Sequence, residues 1–121
     1  MNWVLVFVGG GIGSCLRYSL SLLLPVSNFP WATFAVNALA SLAAGFIAGS
    51  LLTGSPSNDH LRLLLLVGFC GGFSTFSAFS HENYLLLQQQ QYLLFATNVL
   101  LQVIVCLAAV ATGLYLSRIG A

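Results

Sequence analysis

Polar side chains are scarce enough in this sequence for each to be weighed by itself. The richest group lies in Gly68-Phe69-Cys70-Gly71-Gly72-Phe73-Ser74-Thr75-Phe76-Ser77-Ala78-Phe79-Ser80-His81-Glu82. Paired glycines followed by Ser74 and Thr75 make a poor helix interior, because glycine loses much backbone entropy and hydroxyls compete for backbone hydrogen bonds. A helix break is therefore expected near residues 71–76. Broken helices at membrane depth expose carbonyl oxygens that hold small cations and N-termini that face anions; a glycine-kinked packing helix uses the same residue types. Phe76 and Phe79 are three apart and share a face of any helix that resumes after the break. The positive edge of an aromatic ring contacts an anion more weakly than a full charge does, which suits an ion that must both enter and leave. The plainer use of two phenylalanines is packing in a core or against lipid.

Other polar residues fall at helical spacing. Thr33 and Asn37 are four apart, and Asn37 offers two donors either to an anion or to a neighbouring helix. Asn98, Gln102 and Cys106 follow one another at the same interval and draw a polar stripe that either lines a water or ion path or holds two helices together. Arg17 lies well inside an apolar run, where it either supplies positive potential near a pore mouth or snorkels as an anchor. Glu82 falls toward a mouth; His81 beside it points in another direction on a helix, which argues against a proton-relay pair.

The elements holding these residues must be apolar. Of 121 residues only 4% are charged and 59% are hydrophobic, too few polar groups to cover a soluble domain. Apolar runs over about residues 3–24, 31–53, 61–87 and 92–117 each meet the roughly 20 residues that a membrane helix needs. A single four-span subunit, all α-helical and with its third helix broken, leaves no room for a soluble domain. The runs are separated by the turn-rich 25–30, the polar 54–60 and the glutamines 88–91, and Trp3, Trp31, Tyr84 and Tyr92 lie near the span ends. Met1 and Asn2 supply no basic leader, so the first run is read as a retained span despite the lipoprotein-like Ile12-Gly13-Ser14-Cys15.

A net charge of +1 without lysine gives no nucleic-acid surface. Cys15, Cys70 and Cys106 form no CxxC pair and are odd in number, so they read as small packing residues. Four spans place both termini on one side with Arg62 and Arg118, a charge bias weak enough for insertion either way round. Gly9-xxx-Gly13, Gly45-xxx-Gly49 and Gly68-xxx-Gly72 permit close helix approach, within one subunit or between subunits. A non-transporting assembly subunit that docks through these faces is thus one alternative. A proton-coupled transporter of the small multidrug-resistance type is another, but it needs a carboxylate in the first span, where this sequence has none.

Taken in order, the motifs resemble the Fluc (CrcB) family of fluoride channels over nearly the whole chain. The resemblance is carried by Gly9-Gly10-Gly11-Ile12-Gly13-Ser14-Cys15-Leu16-Arg17-Tyr18, by Thr33-Phe34-Ala35-Val36-Asn37, and most specifically by residues 68–79 followed by Glu82. It implies a fluoride-selective channel that passively exports fluoride from the cytoplasm and lowers its toxicity, with no enzyme chemistry. It also implies an antiparallel, dual-topology homodimer in the plasma membrane, the inner membrane of a bacterium, with a structural sodium ion at the dimer interface. By position, backbone carbonyls of Gly71 and Ser74 would hold the sodium. Phe76, Phe79, Asn37, Ser77, Thr33, Asn98 and Gln102, with Cys106 extending the last-helix track, would line the fluoride path, and Arg17 and Glu82 would stand at its vestibule or mouth. Ser74 replaces the family's usual threonine, Ala32 a glycine, and Ala78 a common Thr or Ser, which removes one hydroxyl from the path.

Overall fold

The computed structural model describes residues 1–52 and 58–120. Helix α1 spans Asn2–Leu23 and α2 spans Trp31–Leu51. The third span, Asn58–Gln88, is a series of pieces: α3 (Asn58–Leu61), a π-helical stretch (Arg62–Cys70), α4 (Gly71–Phe73) and α5 (Phe76–Gln88). Helix α6 (Tyr92–Ile119) closes the chain, and the described residues contain no strand. All four spans are long and apolar enough to cross a bilayer, which makes this a multi-pass integral membrane protein. Of the polar link expected over 54–60, residues 54–57 lie outside the described residues, as does Thr53 at the end of the expected second span; Asn58, Asp59 and His60 are already helical.

Glycines decide how the helices meet. A Cβ on Gly9 would fall on the Leu64 carbonyl, one on Gly13 on the Phe69 carbonyl, and one on Gly72 on the Gly10 carbonyl. So α1 crosses the third span backbone to backbone. The second pair, α2 with α6, is built alike: Gly45 lies against the Val110 carbonyl, Gly113 against that of Leu42, and Gly49 against the Ser117 hydroxyl. All three Gly-xxx-Gly motifs are therefore consumed inside one subunit, which removes the surface that an assembly-only role required. Between the pairs sits a small core of Val36, Ala40 and Phe73, with Leu20 against it. Only 11–17% of each span's most apolar window is buried, so most of the aliphatic surface needs lipid or another protein around it.

Two ends of the bundle can be distinguished. The 24–30 link packs beside Leu85, Leu86 and Gln89, while Leu51 and Leu52 lie with Arg62 at the opposite end. At the first end Phe29, Trp31 and Phe34 form an aromatic cluster with centroids 4.5–6.0 Å apart, as suits the headgroup region. The glutamine run is a helix stop: Gln90 takes a positive φ of 57°, and Gln90 and Gln91 donate N–H bonds back to Leu87 and Leu86. This is a Schellman turn with glutamine at the left-handed position where glycine is usual. Among the cysteines Cys70 is buried, as a packing residue should be, whereas Cys15 is exposed on α1 and Cys106 is half-buried.

Candidate functional site

The break falls at Ser74 and Thr75, both extended (φ/ψ −74°/158° and −150°/112°). Every backbone polar group released there must find another partner. Thr75 N–H, which in a continuous helix would reach the Gly71 carbonyl, donates instead to Asn37 Oδ1 at 2.8 Å. Asn37 Nδ2 donates in return to the Thr75 carbonyl at 3.2 Å, so the side-chain amide pairs with the peptide as a strand would. Ala78 N–H, the helical donor for the Ser74 carbonyl, is taken by Thr75 Oγ1 at 3.2 Å, which makes Thr75 the N-cap of α5. The Gly71 and Ser74 carbonyls have thereby both lost their helical donors. The Gly72 carbonyl is held differently: Ser14 Oγ and Arg17 Nε each donate to it at 3.3 Å. A guanidinium on a free carbonyl at a helix C-terminus is the favourable arrangement.

One side of the break opens into a cleft of about 280 Å³ lined by Asn37, Ser41, Ser74, Thr75, Phe76, Phe79, Gln102, Val103 and Cys106. Phe76 and Phe79 lie 5.5 Å apart with rings tilted by 42°. Gln102 Oε1 accepts from Asn37 Nδ2 at 3.2 Å, while its buried Nε2 has no hydrogen-bond partner. An orphaned buried donor costs about 1–3 kcal/mol, which an acceptor occupying the cleft would recover. On the other side, a cleft of about 370 Å³ brings Ser14, Arg17, Thr33 and Glu82 together with Ala78 and Thr75. Thr33 Oγ1 donates to Glu82 Oε1 at 2.6 Å, and Glu82 Oε2 is buried without a partner. Thr75 borders both clefts, so the break is the partition between them.

The sequence-derived residues separate accordingly. Asn37, Ser74, Phe76, Phe79, Gln102 and Cys106 share the first cleft, and Arg17, Thr33 and Glu82 the second. Ser77 is exposed, its hydroxyl 3.3 Å from Thr75 Oγ1 at the cap, and does not line the first cleft. Asn98, at 0% exposure, donates to Asn83 Oδ1 at 3.0 Å, and Asn83 in turn donates to the Phe79 carbonyl at 2.9 Å. The last-helix stripe thus divides: Gln102 and Cys106 face the cleft while Asn98 ties α6 to α5. Sequence reading missed Asn83 and Ser41. Both carried a signal, since Asn83 is a polar residue inside a span and Ser41 continues the Thr33–Asn37 face by four residues.

The fold and these clefts define a class: a small four-span membrane protein whose broken third helix sets a polar, ring-lined cleft into an apolar bundle. Residues 4–114 match the family described as CrcB-like protein, Camphor Resistance (CrcB). The chain belongs to that family. A Pyrococcus abyssi (strain GE5 / Orsay) protein called fluoride-specific ion channel FluC is 42% identical over 116 residues, which cover 95% of this chain and 94% of the relative. Proteins of the same name from Phocaeicola vulgatus (40% over 118 residues, 95% and 97% covered) and Erythrobacter litoralis (42% over 124 residues, 96% and 91% covered) are similarly alike.

Proposed function

We propose that this chain is a subunit of a fluoride-selective channel that lets fluoride leave the cell down its electrochemical gradient. The observation that carries the reading is the first cleft, where a buried amide donor without a partner shares a wall with two phenylalanines beside a broken helix. Fluoride is a small, strongly accepting anion; it exchanges water for N–H donors and positive ring edges, contacts weak enough to release it again. In this reading Phe76, Phe79, Asn37 and Gln102 line the path in the first cleft, Thr33 continues it in the second with Arg17 and Glu82 at the mouth, and Ser77 at the α5 cap and Asn98, bonded to Asn83, support it. Full-length likeness to proteins named as fluoride channels supports it, and nothing favours the proton-coupled alternative.

The working unit of this reading is an antiparallel homodimer in the plasma membrane. A single subunit presents an open polar cleft on an apolar surface, and a second copy inserted the other way round would cover it. A structural sodium ion fits the break, because the Gly71 and Ser74 carbonyls have lost their helical donors and Gly71 is exposed with nothing within 4 Å of where its Cβ would be. Those carbonyls, from both subunits, would hold the ion, which supplies positive charge at the point where two broken helices meet. Purified protein in liposomes is expected to release fluoride and retain chloride. Equal leak of both ions, or no leak, overturns the reading.

A further inference from the structure

We propose that Asn37 is a positioning residue that decides which end of the Gln102 amide faces the cleft, making Gln102 a donor-only group for the anion that occupies it. The inference rests on reading the cleft as a fluoride path.

A backbone peptide, unlike a side-chain amide, cannot be reversed in place. Thr75 N–H is a donor, so the Asn37 atom 2.8 Å away must be oxygen, and Nδ2 must then be the atom beside the Thr75 carbonyl. That assignment leaves one further Nδ2 hydrogen, and it points at Gln102. Gln102 must answer with an acceptor, since Nε2 in that place would set donor against donor. Its Oε1 is therefore held at 3.2 Å from Asn37, and its Nε2 is what remains, buried and without a partner, on a residue lining the cleft.

A freely rotating glutamine accepts as readily as it donates. Here the direction of a backbone N–H at the helix break is passed through two side-chain amides and leaves Gln102 Nε2 as the end of that amide free to donate. Beside Phe76 and Phe79, which line the same cleft, that donor suits a small anion that accepts but need not donate. The extended residue Thr75 thus acts on both faces of the break: it strips the helical donor from the Gly71 carbonyl on one side and orients an anion donor on the other.

The test is a double-mutant cycle on fluoride efflux from liposomes, using Asn37→Ala and Gln102→Met. Asn37→Ala is expected to lower flux by about tenfold in the parent chain, the worth of one hydrogen bond, and to have little further effect when Gln102→Met is present. Losses that simply multiply would mean that Asn37 serves only the break, and would overturn the inference while leaving the channel reading intact. A parent protein that releases no fluoride overturns both. Should Asn37→Ala fail to fold, the parent chain labelled with 15N-glutamine decides the matter. The Gln102 side-chain signal, identified by its loss in Gln102→Met, is expected to shift on titration with fluoride but not chloride; no shift with fluoride overturns the inference.

Discussion

Gly71 and Gly72 are adjacent, both helical, and expected to respond oppositely to the same substitution. A Cβ at Gly72 would strike the Gly10 carbonyl and lie 2.8 Å from Gly10 Cα. Neither obstacle is a side chain that can swing away, so α1 and α4 must part. Overpacking of this kind costs about 1–3 kcal/mol, against about 1 kcal/mol gained from replacing glycine by alanine in a helix. Gly72→Ala should thus lose up to about 2 kcal/mol net, and parting the helices also lengthens the Arg17 and Ser14 bonds to the Gly72 carbonyl. Gly71 has ordinary helical angles (φ −65°, ψ −36°) and open space around its Cβ. Gly71→Ala should therefore leave the subunit equally stable or stabilise it by up to about 1 kcal/mol. Any penalty should instead fall on dimerisation, if the Gly71 carbonyl meets a second copy as proposed. Reversible unfolding in mixed micelles, read by tryptophan fluorescence, measures the first effect; dilution of labelled protein, read by energy transfer between subunits, measures the second. A Gly72→Ala variant as stable as Gly71→Ala, or equal loss of subunit stability in both variants, would refute this account of the helix crossing.

Further outcomes follow from single contacts. Thr75→Ala removes the cap that receives Ala78 N–H and should destabilise the fold by about 1 kcal/mol, whereas Thr75→Ser keeps the hydroxyl and should lose less in the same unfolding assay. Gln90→Gly relieves a left-handed glutamine at the α5 stop and should raise stability by about 1 kcal/mol; a decrease would mean that the Gln90 side chain holds something the turn geometry does not reveal. Phe76→Ile and Phe79→Ile are expected to slow fluoride efflux while the dimer persists on size exclusion, and parent-like rates in both would remove the rings from the path. Replacing sodium by a large organic cation throughout purification should lower the thermal stability of the dimer; an unchanged melting curve would count against the sodium site.

Much of the site was legible because a membrane makes polar residues conspicuous. Asn37, Gln102 and Glu82 stood out by residue type, and helical spacing placed Thr33 and Asn37 on one face. The break was legible too, since Gly71, Gly72, Ser74 and Thr75 each weaken a helix for a separate local reason. The π-helical winding over Arg62–Cys70 was not: its leucines and valine carry no signal for a wider helix. Nor was the fate of each donor. Asn37 offered its donors to an anion or to a neighbouring helix; both Nδ2 hydrogens are engaged within the subunit, and the partnerless donor belongs to Gln102, 65 residues away.

The sequence by itself determined that the chain spans a membrane four times and breaks in its third span, because hydropathy and backbone propensity act over a few neighbouring residues. Tertiary structure alone decided which carbonyls at the break lose their helical donors, which end of the Gln102 amide Asn37 engages, and that the glycine motifs join helices within the subunit. Hydrogen-bond direction and close packing are settled between residues far apart in the chain, where local pattern has no reach.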